Sequence, residues 1–533
     1  MSSDLASGTY WRVSDYLHHW SSVQPSHVAF YFQEKSITYC EFEQRAELLA
    51  CYLLEYGVRK GDRIVYLLSG SPEFFFLYMA AAMIGATVVG AGLRYPPSEI
   101  SRILDDTKPR LIICHEYALD RLLAVKPENI PVISVGDTHS NGLIPFESCT
   151  TASSRRTMSW LQKCQDEVSM DDPLFILYTS GTTGTPKGAV FTHRNLISSA
   201  LMQAKEFGGP GGCTPEDIFQ HQVPVDHISG AVEWGVTPII AGCASILAGG
   251  FDARRILENT QRYRATILAG VPTMWSMMFS LPDFEKYDLS SVRWCMTGAA
   301  PAPQTMLERM LKISPYCANP LGLTETSGFC TYTAIAASAV EMAATVGRVA
   351  PMLSYKVVDK HRKPVSKGTV GQLAYKGPSV IETYFQRLEG TTAAIDNDGY
   401  FCSGDLACED HFGNIYLRGR NDEMFITAGY NVYPLEVETA LLNHPGVHMA
   451  VVLPIPDTVM GMVGRAYILP KKGANLNKHM LRNHLLNLLE GYKIPRSYIL
   501  VERLPLTALG KPQKAVLAND IAREFGYPSR KQA

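Results

Sequence analysis

A chain of 533 residues is longer than one hydrophobic core supports, so two or more domains are expected. Hydrophobic residues make up 46% and charged residues 19%, and a net charge of −2 with scattered lysines and arginines leaves no electrostatic footprint for nucleic acid. The twelve cysteines include no C-x2-C pair and no Cys/His cluster with zinc spacing, which reads as free thiols in a reducing compartment.

The N-terminus has no basic stretch followed by an apolar core, so no secretory signal is expected and a cytoplasmic location is. His27 to Phe42 reads as a hairpin, and Glu43 to Tyr56 as a helix ending at Gly57. A βαβ series follows, with strands at Arg63 to Leu68 and Arg110 to Cys114 and a helix at Ser98 to Asp105. Between them, Phe74 to Leu93 is twenty residues without a charge, long enough to span a bilayer. Its composition switches at Gly85 to the β-type run Ala86-Thr87-Val88-Val89, so a buried helix feeding a buried strand is expected, with no membrane span. Residues 115 to 170 are less regular. From Asn195 the alternation resumes, and two α/β halves emerge, about 30 to 190 and about 195 to 330. From about 345 to 420, short strands between Gly, Pro and Asn turns suggest a small antiparallel or barrel-like subdomain. After Asn421 helices and strands alternate in a compact α+β unit. The chain thus divides into 1–420 and 421–533.

The motif that stands out is YTSGTTGTPKG, Tyr178 to Gly188, after the apolar run Leu174 to Tyr178. Gly181, Gly184 and Gly188 allow backbone N–H groups close to an anion. Hydroxyls of Thr179, Ser180, Thr182, Thr183 and Thr185 can donate to phosphate oxygens, and Lys187 adds a point charge. The Walker pattern fails, because Gly181 and Gly184 are too close and Pro186 precedes the lysine.

Three further segments gain meaning together. In TGAAPAP, Thr297 to Pro303, the small residues Gly298, Ala299 and Ala300 follow a strand, where an adenine could lie. In PLGLTETSG, Thr324 and Glu325 put a hydroxyl beside a carboxylate, which suits Mg2+ bridging phosphates. In FCSGDLA, Asp405 can accept both hydroxyls of a ribose, and Arg420 fifteen residues on could reach the same sugar or a phosphate. Singly, each is equally a turn residue, a surface charge or ordinary packing.

The phosphate loop resembles that of the acyl-adenylate-forming superfamily, which includes acyl-CoA ligases, adenylation domains of peptide synthetases and firefly luciferase. Segments similar to its pattern follow in order from Ile37 to Lys511: ITYCEF, the loop, VDHISG, TGAAPAP, LGLTE, SGD with GRND, GYNVYPLEVE and a final Gly-Lys. The resemblance implies a large N-terminal domain of two α/β subdomains plus a small β-barrel, and a smaller mobile α+β C-terminal domain hinged near Asp422. It implies ATP, Mg2+ and CoA, with a carboxylic acid as substrate. His227, Trp234, Thr297 and Gly298 would line the acyl pocket. Lys511 would be catalytic, with His227 and Glu325, and Gly429 and Tyr430 would shape a pantetheine tunnel. The chain departs at Leu321, where the superfamily commonly places an aromatic residue against adenine. Asp226, beside His227, is unexpected in an apolar pocket.

Within the superfamily, DLSSVRWCMTGAAPAP and GRAYILP look most like acyl-CoA ligases for a medium-chain, aryl or alicyclic acid. Two alternatives stand beside that expectation: a stand-alone enzyme loading an amino or aryl acid onto a carrier protein, and an adenylate-binding protein without ligase activity. Whether the chain forms a homo-oligomer is open at this stage.

Overall fold

The computed structural model describes residues 11–136, 142–151, 155–179, 186–387, 391, 394–507 and 510–525. A first seven-stranded sheet runs, in spatial order, Ile144–Pro145, Val132–Val135, Leu111–His115, Arg63–Leu67, Thr87–Gly90, Pro173–Thr179, Lys187–Thr192. Its strands are parallel except for the last pair. The uncharged stretch after Glu73 is the helix Pro72–Ile84 followed by the strand Thr87–Gly90, and the helix is buried at every position but Glu73. A helix apolar all round belongs inside a protein or a membrane. This one is too short to span, and no helix among the described residues is long and apolar enough to cross a bilayer. It stops at Gly85, whose φ of +69° is left-handed and which a Cβ would crowd against Lys60 Cγ at 2.9 Å.

The second seven-stranded sheet is ordered Cys317–Ala318, Trp294–Met296, Ile267–Ala269, Ile218–His221, Ala244–Leu247, Val28–Phe32, Lys35–Thr38. This corrects the division expected from sequence. The N-terminal hairpin, assigned there to the first half, pairs in parallel with the second sheet, Phe30 opposite Ser245. Phe30 sits 4.8 Å, centre to centre, from both Phe42 and Phe75, so the hairpin is tied to the helices between the sheets by aromatic packing. The following helix, Tyr39–Glu55, also starts earlier than its composition suggests, because Thr38 and Glu41 close a capping box. Residues 115–170 hold more order than expected, with helices Glu116–Leu123 and Arg155–Glu167 flanking the strand Val132–Val135.

The third sheet is antiparallel, with strands Ser354–Val358, Gly371–Lys376, Phe401–Glu409 and Ile415–Arg420 paired in chain order. In the region expected to be barrel-like these strands form a four-stranded meander, and Ile415 also exchanges backbone hydrogen bonds with Val346 and Gly347 beside the strand Arg348–Val349. The C-terminal unit has its own sheet, ordered Tyr430–Val432, Phe425–Thr427, Gly461–Pro470, Val447–Asp457, with Ser497–Leu500 also paired to Gly461–Pro470. Helices Pro434–Leu442 and Lys478–Leu486 cover it, and Val437, Leu441, Ile468, Leu481 and Leu485 form a core separate from those of the larger sheets. None of the twelve cysteines forms a disulfide.

Candidate active site

The first sheet, the second sheet, the meander and the C-terminal tail meet around a cavity of about 500 Å³. Strands Pro173–Thr179 and Lys187–Thr192 pair with Thr179 opposite Lys187, so the two ends of the phosphate loop are pinned side by side at its wall. Lys187 Nζ stands 5.4 Å from the centre of the Tyr384 ring. The loop residues Ser180, Gly181, Thr182, Thr183 and Gly184 lie outside the described residues.

A second wall comes from the turn after Ile218–His221 and the π-helix Ser229–Val236. π-Helical turns are rare and gather at functional sites. Here the turn needs glycine at 230, where a Cβ would fall 2.1 Å from the Pro224 carbonyl oxygen. His227, Ser229 and Glu233 line the cavity. The Ser229 N–H donates to His227 Nδ1 at 3.4 Å. Burial, reinforced by the Lys511 charge, holds the His227 imidazole down at about 3, so it is neutral near pH 7. Trp234, expected in the pocket, is placed behind it: it is 2% exposed and packs on Phe207 and Phe219, with ring centres 5.5 and 6.3 Å away. Asp226 also faces elsewhere, its Oδ2 2.5 Å from where a Cβ at Gly92 would be.

Of the segment after the strand Trp294–Met296, Ala299 reaches the cavity wall. Its φ of +67° is unusual for alanine and costs about 1–2 kcal/mol. Thr297 is fully buried with an unpartnered hydroxyl, Gly298 abuts the Pro320 carbonyl, and neither they nor Ala300 are part of the wall. Leu321 stands back likewise, while Gly322, Leu323 and Phe329 line the cavity.

Thr324 and Glu325 occupy a 3-10 turn on the wall. The Tyr384 hydroxyl donates to Glu325 Oε1 at 2.8 Å, which orients the carboxylate. Among the described residues no three His, Cys, Asp or Glu side chains converge as a metal cage. A hydroxyl and one carboxylate fit an ion such as Mg2+ that takes its other oxygens from phosphate and water.

Asp405 and Arg420 are register partners on neighbouring strands of the meander, so their fifteen-residue spacing is a hairpin. Arg420 Nη1 donates to Asp405 Oδ1 at 3.1 Å, while Asp405 Oδ2 is buried without a partner. Burial raises the Asp405 carboxyl above the usual range, against the opposing pull of Arg420. Asp422 lies 3.7 Å from Arg420 and also lines the cavity.

Lys511 enters this cavity from the C-terminal unit. Thr273 Oγ1 donates to the Gly510 carbonyl at 3.1 Å, tying the segment to the second α/β half. Three residues on, Lys514 pairs with Glu423 at 2.6 Å and with the buried Glu438 at 3.0 Å, anchoring the same segment to its own unit. Burial lowers the Lys511 ammonium below its ordinary range, with Glu233 and Asp405 pulling the other way. Gly429 and Tyr430 are not brought here. They form the tip of a hairpin outside the cavity, with Tyr430 exposed and stacked on Tyr492 at 4.8 Å.

Glu233 was not singled out from sequence. The signal was its position as the lone charge in the apolar run GAVEWGV. It is 1% exposed, and burial pushes its carboxyl up to about 8.

The family model described as AMP-binding enzyme matches residues 17–385, and its C-terminal domain matches residues 436–511. The chain belongs to the AMP-binding enzyme family. Relatives in this family include the indoleacetate–CoA ligase of Aromatoleum aromaticum, 28% identical over 96% of this chain and 99% of that protein. The mitochondrial medium-chain acyl-CoA ligase ACSF2 of Danio rerio is 29% identical over 94% of this chain and 87% of that one. Among solved structures, ATP-bound MatB of Rhodopseudomonas palustris superposes with a TM-score of 0.84 at 27% identity, over 95% of this chain and 98% of the other.

Proposed function

We propose that this chain is an AMP-forming acid–thiol ligase. It joins a medium-chain, aryl or alicyclic carboxylic acid to CoA through an acyl-AMP intermediate. The observation that carries this reading is the convergence of Lys511 with Lys187, Glu325 and Arg420 on one cavity, although the tail lysine lies far away in sequence.

In the first half-reaction an oxygen of the acid's carboxylate attacks the α-phosphorus of ATP. The bond from that phosphorus to the bridging oxygen breaks, and pyrophosphate leaves with the electron pair. Lys187 and the loop that starts at Thr179 hold the departing β- and γ-phosphates. Lys511 sits where negative charge develops between the carboxylate and the α-phosphate, and a preplaced, desolvated cation stabilises such charge most. Asp405 Oδ2, orphaned and buried, is the acceptor for ribose hydroxyls, and Arg420 fixes its partner oxygen. Thr324 and Glu325 would hold Mg2+, which supplies neutralising charge on the phosphates. Neutral His227 walls the acyl end without repelling the reactants' positive counter-charges. In the second half-reaction the CoA sulfur, its proton lost, attacks the acyl carbonyl and AMP leaves. Gly429 and Tyr430 serve that step after rearrangement about Asp422.

An amino acid loaded onto a carrier protein fits less well, because Asp226 faces Gly92 and Tyr95 and offers no carboxylate to an ammonium in the cavity. The test is to incubate the protein with ATP, Mg2+ and a panel of acids, with and without CoA. Acid-dependent pyrophosphate release and CoA-dependent thioester support the proposal. Thioester that forms only on a carrier protein, or no acid-dependent pyrophosphate at all, overturns it.

A further inference from the structure

Glu233 has no part in the chemistry just described, yet it lies on the cavity wall beside His227 and Lys511. Its Oε2 has no hydrogen-bond partner. Leaving a buried polar group unpaired costs about 1–3 kcal/mol, and more when it is charged. Natural structures rarely carry that cost without a ligand or a role to explain it.

The surroundings show what kind of ligand would complete it. Phe329 lines the same cavity and leads into an aromatic cluster: Phe207 lies 6.0 Å from it, and Trp294 stacks on Phe207 at 4.7 Å. The phenol of Tyr332, 6.5 Å from Phe329 between ring centres, also has an unpartnered buried oxygen and lies close enough to feel the Glu233 charge. Gly328 leaves open the space between Gln203 Nε2 and Glu233 Oε1, which a Cβ would meet at 2.8 and 3.0 Å. This end of the cavity is therefore walled by Phe329 and Ile228 beside the polar His227 and Ser229, with a carboxyl set among them and the aromatic cluster behind Phe329.

We propose that Glu233 is a specificity-determining residue that selects acids carrying an uncharged hydroxyl substituent on their apolar body. The proposal rests on the ligase reading above and names its substrate class more narrowly. A plain hydrocarbon completes the burial of Glu233 and leaves its Oε2 unpaired, with the Ser229 side chain as the polar neighbour of the carboxyl. A hydroxyl both donates and accepts, and so pairs with a carboxyl that burial keeps protonated near pH 7. An ammonium substituent is disfavoured, because the Lys511 cation already shares the cavity.

The experiment compares kcat/KM for matched pairs of acids, measured by pyrophosphate release: phenylpropanoate and its ring-hydroxylated analogues, octanoate and its terminally hydroxylated analogue. Wild type is expected to favour the hydroxylated member of at least one pair by about 10-fold or more, the factor that one buried hydrogen bond supplies. Glu233→Met is expected to bring that ratio close to one, and Glu233→Gln, which keeps hydrogen-bonding atoms, to an intermediate value. A merely structural Glu233 would lower both members alike. The inference is overturned if wild type favours the plain acid in every pair, a result that needs no variant to fold. It is equally overturned if Glu233→Met keeps the wild-type ratio. Pyrophosphate from no acid at all would sink the ligase reading and this inference together, whereas ligation without discrimination would sink only this one.

Discussion

Replacing Lys511 by methionine removes its charge and keeps most of its length. At about 4 Å and an effective dielectric near 20, one ion pair is worth about 4 kcal/mol. That is the relevant regime, because Lys511 stands in a cavity where burial already depresses its basicity. A loss of that size in the transition state slows adenylation about 10³-fold. Arg420 and Lys187 remain on the wall, so residual activity is expected rather than none. The assay separates the half-reactions: acid-dependent exchange of pyrophosphate into ATP without CoA, and thioester formation from supplied acyl-AMP with CoA. Exchange should fall about 10³-fold while thioester formation stays within a few-fold of wild type. Equal losses in both, or a loss in exchange below about 10-fold, would refute the reasoning.

Gly230→Ala forces a Cβ to within 2.1 Å of the Pro224 carbonyl, so the turn before the π-helix must move. A drop of about 2–4 kcal/mol in stability and a raised KM for the acid are expected, from thermal unfolding and initial rates. Lys514→Met strands the buried Glu438 carboxyl, and denaturant unfolding should show about 3 kcal/mol less stability. Gly429→Leu, at φ +87° but with nothing within 4 Å of its Cβ, should slow thioester formation more than adenylation; the reverse order would remove Gly429 from the CoA route. His193, His221 and His227 are held at about 3, 4 and 3 by burial, below the value near 6.5 of an unfolded histidine. The unfolded chain then binds more protons, so stability is fully present above about pH 6.5 and lost as pH falls toward 3. Glu233, held at about 8, works the other way, with stability lost as pH rises from the ordinary glutamate range toward 8. Glu233→Gln should therefore gain on wild type with rising pH in urea titrations, and a constant difference would contradict its raised pKa.

Signals carried by neighbouring residues were legible in the chain. The switch at Gly85 and the strands bracketing the phosphate loop each follow from composition or spacing over a few residues, whereas Asp405, read as a turn residue, lies within a strand in register with Arg420. What was hidden depends on distant partners. Nothing near Phe30 says that its strand lies beside Ser245, since parallel neighbours are chosen by packing across the whole sheet. Trp234, which the resemblance implied for the pocket, lies behind its wall while its neighbour Glu233 reaches the cavity, and both sit in a π-turn that no local composition announces. Of the strip from Thr297 to Ala300 only Ala299, with its left-handed backbone, lines the cavity, which the run of small residues does not reveal.

The segment bearing Lys511 leaves one folded unit and ends inside the walls of the other. An ammonium kept from water ahead of its counter-charge makes this arrangement uncomfortable until an anion arrives. Nucleotide binding and docking of the C-terminal unit are then thermodynamically linked, each strengthening the other by the same factor. Departure of pyrophosphate weakens the attraction that holds the segment in place. On the ligase reading proposed above, the leaving group would double as a clock: its exit would end the first half-reaction and release the segment for the second, without a separate sensor.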